Sequence, residues 1–245
     1  MKIMNAIEIQ GLTKTYKDVV AVEDLHLTVE KGELLALLGV NGAGKTTTVK
    51  MLSCLTQPTA GDALLLGKSI VKEPAAVKAL IGVSPQETAV APGLTVRENL
   101  ELMCGVHGIC GLSQKEKTAQ LSSQLGLETV LHKKAGKLSG GWQRRLSIAM
   151  ALVSAPRILF LDEPTLGLDV LARSDLWDLI RSLKGEVTVI LTTHYMEEAE
   201  TLSDRIAIMK DGHLLTCGTA AQIKEQAGTD RFEEAFIRIV KGVAQ

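Results

Sequence analysis

The stretch ELLALLGVNGAGKTTTVK, Glu33 to Lys50, decides the fold. LLALL is apolar at every position, so it reads as a strand buried on both faces. The turn that follows, GVNGAGKT from Gly39 to Thr46, fits the spacing G-x-x-x-x-G-K-[ST]. Its position between a buried strand and a helix is the context a phosphate cradle needs. Glycines let backbone N–H groups turn inward on an anion, at the positive end of the helix dipole. Lys45 is placed to reach β- and γ-phosphates, and the Thr46 hydroxyl can hold Mg²⁺. The nucleotide-binding set so read is Gly39, Asn41, Gly42, Ala43, Gly44, Lys45, Thr46 and Thr47.

Working outward, Leu25, Leu27 and Val29 share one face of an alternating strand, and Lys31-Gly32 makes a turn. This N-terminal third reads as antiparallel sheet, with a further short strand at ALLLG, residues 63–67. ILFLDEP and VTVILTT are two-sided apolar runs of the kind parallel sheets use. Helical stretches separate them, so the fold class is α/β. Strand signals vanish between Thr88 and Pro156. There Thr95 with Glu98, and Ser113 with Glu116, have the spacing of capping boxes at two helix starts, and RRLSIAMALV continues a third helix. The expected organisation is one domain over residues 1–245, with a core at about 1–87 and 157–245 and a helical insert at about 88–156. Asp211-Gly212 marks a late β-hairpin.

The 245 residues, 46% of them hydrophobic, suffice for a sizeable core. With 27 basic and 28 acidic side chains the net charge is -1, which gives no pull toward nucleic acid or an anionic bilayer. No apolar run approaches the ~20 residues of a membrane span, and MKIMNAIEIQ lacks the apolar stretch of a secretory signal. A cytoplasmic chain is expected. Cys54, Cys104, Cys110 and Cys217 have no paired spacing, which fits reduced thiols. Cys104, His107 and Cys110 supply three potential metal ligands without a fourth and read as a helix end.

ILFLDEP ends an apolar strand in Asp162, which delivers a carboxylate to a metal beside the phosphate loop. Glu163 follows, and a second carboxylate there can polarise a water for attack on the γ-phosphate, which points to hydrolysis. KLSGGWQRR, Lys137 to Arg145, offers a second anion site: Ser139 is a natural N-cap, and Gly140 and Gly141 open a helix. With GVNGAGKT, LSGGW and LDEP in that order, the chain resembles the nucleotide-binding subunit of ATP-binding cassette (ABC) transporters, from about Ile7 to Gly218.

The resemblance implies a P-loop NTPase (RecA-like) core with an antiparallel β subdomain and a helical subdomain. It implies ATP and Mg²⁺ as cofactors, with Asp162, Thr46 and Gln86 as metal contacts. It implies head-to-tail dimers in which Ser139, Gly140 and Gly141 of one cassette close over the ATP of the other. By the same likeness Tyr16 stacks on adenine, Gln86 touches metal and attacking water, Asp169 meets the opposite phosphate loop, and His194 contacts the γ-phosphate. Glu163, His194 and Gln86 form the implied catalytic set. Two positions depart from the family: Trp142 stands where glutamine or methionine is usual, and Val40 where proline or another small residue is common. Trp142 is expected to pack against its neighbours.

The implied function is an ATP-hydrolysing motor on the cytoplasmic face of a membrane, driving separate membrane-spanning permease subunits with a second cassette. PGLTVRENLELMCGVHGI and DRFEEAFIRIV look like the exporter branch. The rival is a soluble ABC ATPase acting on ribosomes or DNA, which generally carries two cassettes or a long coiled-coil insertion. Lys133, Lys134, Lys137, Arg144 and Arg145 read as a solvated helical face, the two arginines also supporting the helix after Ser139.

Overall fold

Two sheets and the helices packed on them arise from where the apolar side chains point. A computed structural model describes residues 5–242, so the expected domain ends at 1–4 and 243–245 lie outside the described residues. The chain opens with a long hairpin, β1 (Asn5–Tyr16) and β2 (Val19–Glu30), in which Leu25, Leu27 and Val29 face inward. The fully buried β3 (Leu34–Leu38) leads through the glycine-rich turn into α1 (Lys45–Leu52). β4 (Ala60–Leu65) and β5 (Lys68–Ser69) then complete an antiparallel sheet of order β2-β1-β4-β5.

After α2 (Pro74–Lys78) comes β6 (Ile81–Ser84), the edge of a second sheet. Four residues with a glycine among them carry too little periodicity to be read from sequence, and β6 was not expected. Next come α3 (Val96–Val106), α4 (Gly111–Gln124) and α5 (Gly140–Ala151), with no strand among the described residues between Thr88 and Pro156. Thr95 forms both halves of its capping box with Glu98. The box expected at Ser113 and Glu116 is absent: α4 starts at Gly111, capped at Cys110, so the Glu116 N–H already lies inside the helical ladder.

β7 (Ile158–Asp162), α6 (Val170–Ser182), β8 (Thr188–Thr193), α7 (Met196–Leu202) and β9 (Arg205–Lys210) follow. β10 (His213–Gly218) returns from β9 through Asp211-Gly212, both at positive φ as a two-residue hairpin turn requires. Helices α8 (Ala220–Ala227) and α9 (Phe232–Lys241) end the described chain. The second sheet runs β10-β9-β3-β8-β7-β6, parallel except for the β9–β10 pair.

Both faces of this sheet are covered. Ile158 and Phe160 of β7 pack toward the antiparallel sheet and α1, while Leu159 and Leu161 pack on the opposite side with α5 and α6. Such strands can place polar groups only at their ends, and the phosphate loop and Asp162 both lie at carboxyl ends.

The fit of α5 on the edge strand leaves no room for a methyl group. A Cβ on Gly82 would come within 2.3 Å of the Ala151 carbonyl oxygen and 3.0 Å of Pro156. Gly82→Ala is therefore expected to cost about 1–3 kcal/mol, seen as a lower denaturant midpoint at constant slope. Gly105 in α3 meets nothing within 4 Å, so Gly105→Ala should raise stability by about 0.5–1 kcal/mol in the same titration.

Candidate functional site

The polar ends of β7 and β8 meet across the sheet, with Asp162 paired in register with Thr192. Thr192 Oγ1 donates to Asp162 Oδ1 at 2.5 Å and accepts from the Glu163 N–H at 3.0 Å. Thr46 Oγ1, in the first turn of α1, donates to the same Asp162 oxygen at 3.1 Å. One buried carboxylate thus ties the phosphate-loop helix to two strands.

Glu163 stands at φ 46, a left-handed conformation that costs a non-glycine residue about 1–3 kcal/mol. Its N–H also lies 3.1 Å from the Thr192 carbonyl oxygen. The turn aims its side chain back into the site, with Oε1 3.7 Å from Lys45 Nζ and Oε2 3.0 Å from His194 Nδ1. A carboxylate oxygen only accepts, so His194 donates from Nδ1 and its Nε2 is the ring nitrogen left for other contacts. Lys45 is buried, and its Nζ donates to the Gly39 and Val40 carbonyl oxygens at 2.7 and 3.1 Å. Burial pushes its ammonium pKa down, against the opposing pull of Glu163 and Asp162.

Of these groups Lys45, Thr46 and Glu163 border a cleft of about 650 Å³, lined also by Val19 to Ala21, Asn41 to Gly44, Thr47, Gln86 and Asp211; Gly39, Asp162 and His194 lie just outside that lining. Gly44 shapes its floor: it sits at φ 99, and a Cβ there would lie 2.6 Å from the Ala21 carbonyl oxygen. Cleft size, a glycine-rich turn leading into the start of α1 and a lysine beside two carboxylates suit a polyphosphate with a hard cation. The Thr46 and Asp162 oxygens are the donor type Mg²⁺ takes.

The sequence-derived residues do not all converge. Tyr16, 43% exposed at the end of β1, is outside the cleft lining; its hairpin partner Val19 is within it. Ser139 occupies the N-cap position of α5 and is exposed, but its hydroxyl makes no capping bond. Gly140 lines a different hollow, with Gln86, Thr88 and Leu166 to Leu168, so Gln86 borders both spaces. Exposed Asp169 caps α6 by accepting from the Ala172 N–H at 2.9 Å. Trp142 is partly buried against the helical cluster, with the Arg145 guanidinium 5.4 Å from its ring centre.

The two arginines overturn the expected solvated face: Arg145 is half-buried, donating to the Leu125 carbonyl oxygen at 3.4 Å and lying 3.4 Å from the Asp175 carboxylate. Lys133, Lys134 and Lys137 are exposed, but Arg144 is only 4% exposed and donates to the Pro85, Gln86 and Glu163 carbonyl oxygens. Burial pushes its pKa down, and the Asp162 and Glu198 carboxylates act against that. The available signal was periodicity: Ser147, Ile148 and Ala151, on the same face of α5, are all buried.

The family pattern described as ABC transporter matches residues 22–166. The chain is 42% identical over 239 residues to the doxorubicin resistance ATP-binding protein DrrA of Mycobacterium tuberculosis, covering 96% of this chain and 72% of that protein. It is 39% identical over 230 residues to the human phospholipid-transporting ATPase ABCA3, covering 92% of this chain and 14% of that one. Among solved structures it resembles the dimeric post-hydrolysis state of the ATP-binding cassette MJ0796 bound to ADP and Pi. The TM-score is 0.77 at 27% identity, covering 87% of this chain and 98% of the other.

The Thr192 hydroxyl serves two buried partners at once. Thr192→Val, of similar shape, should therefore lower the free energy of unfolding by about 1–3 kcal/mol, and Thr192→Ser should restore most of it. Equal denaturant midpoints for the valine variant and the parent would contradict the shared-hydroxyl geometry.

Proposed function

This chain belongs to the ABC transporter family as an ATP-binding, ATP-hydrolysing subunit, and we propose that two cassettes close head to tail on two ATP molecules to drive membrane-spanning subunits. The observation that carries the reading is the Glu163 carboxylate held between Lys45 and His194 beside Asp162, within the phosphate-loop cleft.

The roles follow from that arrangement. Backbone amides from Gly39, Asn41, Gly42, Ala43 and Gly44 through Thr47, together with Lys45, hold the β- and γ-phosphates. Thr46 and Asp162 would hold Mg²⁺ with Gln86 alongside, where the ion would supply positive charge to the phosphate oxygens. Glu163 takes the proton of the attacking water, and His194, oriented through Nδ1, presents Nε2 toward the γ-phosphate. Tyr16 stacks on adenine at the cleft's outer edge.

Ser139, Gly140 and Gly141 act on the second cassette's ATP. Two facts support this: they lie outside the cleft of their own chain, and the Ser139 hydroxyl makes no bond to its own helix. α5 still offers the unpaired N–H groups of a helix start. Asp169 meets the opposite phosphate loop at the same contact.

Among the described residues no helix is long and apolar enough to cross a membrane, which supports work at the cytoplasmic face through separate permease subunits. Export is the direction favoured, because one relative is named for doxorubicin resistance and another for phospholipid transport. The near-zero net charge disfavours a nucleic-acid partner.

Affinity purification of the tagged chain from detergent-solubilised native membranes tests this reading, with bound proteins identified and ATP turnover assayed. A multi-span membrane protein should copurify, and Glu163→Gln should cut turnover by about 10²–10⁴-fold while retaining ATP. Recovery of ribosomes without a membrane protein, or parent-rate turnover by Glu163→Gln, would count against it.

A further inference from the structure

Glu163 is gripped at both ends of its backbone. Its N–H is held by Thr192, and its carbonyl oxygen accepts from Arg144 Nη2 at 3.5 Å. Arg144 comes from α5, the helix that opens with Ser139-Gly140-Gly141, and its fork reaches further. Nη1 donates to the Pro85 carbonyl oxygen at 2.6 Å, and Nη2 to that of Gln86 at 2.6 Å.

One buried guanidinium therefore joins three segments: the start of the helical insert, the turn after β7 and the helix of the second anion site. Among the described residues it has no carboxylate within 4.0 Å, so backbone carbonyls solvate its charge. The left-handed turn at Glu163 aims the carboxylate at Lys45 and His194. Relaxation to the ordinary right-handed backbone would swing that carboxylate away. The N–H is fixed by β8 and the carbonyl also accepts from the Leu166 N–H at 3.2 Å, so the Arg144 contact is the one through which this turn is tied to α5. Lysine keeps the charge but has no planar fork to serve two carbonyls in fixed directions.

We propose that Arg144 is a positioning residue for ATP hydrolysis, holding Glu163 and the Gln86 segment in one arrangement so that a movement of α5 reaches both together. This rests on the reading of Glu163 as the base that activates water.

The test uses the full chain with Arg144→Lys and Arg144→Gln, each also in a Glu163→Gln background. Turnover is measured against ATP concentration, and binding with MgADP as the probe. In the otherwise parental chain, Arg144→Lys should lower kcat roughly 10–100-fold while KM and the MgADP Kd stay within about 3-fold. In the Glu163→Gln background the same change should lower the residual rate by less than about 3-fold, because the two residues act as one unit. Hydrogen exchange should quicken at 86–88 and 164–166 while β7 and β8 stay protected.

Parental kcat in a folded Arg144→Lys protein overturns the inference, as does an equal loss in both backgrounds. If both Arg144 variants unfold, Arg144 is a stability residue and the inference also falls. Glu163→Gln turning over at the parent rate would instead overturn the reading of Glu163 itself.

Discussion

The structure depends on burying the strands of one parallel sheet on both faces. β7 alternates between two apolar clusters and β3 is shared among three, so neither tolerates a polar group along its length. Polar chemistry is then confined to strand ends, where backbone groups need partners and water can enter. The Asp162–Thr192 pair is the outcome: a carboxylate and a hydroxyl, one at each of two adjacent strand ends, satisfying each other. Thr46 joins them from 116 residues away in sequence.

Holding the phosphate loop in shape takes a second constraint, supplied from outside the parallel strands. Gly44 lies too near the Ala21 backbone of β2 for any side chain. The β9–β10 turn presses from the same side: the Gly212 N–H donates to the Ala43 carbonyl, and its own carbonyl accepts from the Glu23 N–H. The antiparallel sheet and the late hairpin thus fix the loop before any anion arrives. Preorganisation of this kind lowers the ordering cost of binding.

What was legible in the sequence was what depends on neighbouring residues. LLALL, the phosphate loop, the Thr95 box and the Asp211-Gly212 turn each carry their physics within a few positions. What was missed depends on distant pairs. Arg144 reads as one more basic residue until Pro85, Gln86 and Glu163 bring carbonyls around it. Thr192 sat inside an apolar run, and its two partners lie in another strand end. Ser113 failed in the opposite way, because local spacing suggested a cap where the helix had already begun.

Two residues of the proposed second half-site differ in readiness, and the difference follows from their own bonds. The Ser139 hydroxyl has no capping partner, so engaging a phosphate from another chain would break nothing in its own helix. Asp169 caps α6 through the Ala172 N–H, a bond worth about 1 kcal/mol of helix stability. Turning Asp169 toward a second chain would forfeit that cap unless its other oxygen makes the contact, since the bond to Ala172 uses only Oδ1. A carboxylate has acceptor sites enough for both. Cap and cross-chain contact can therefore coexist, with α6 anchored at the point where the second cassette would press on it.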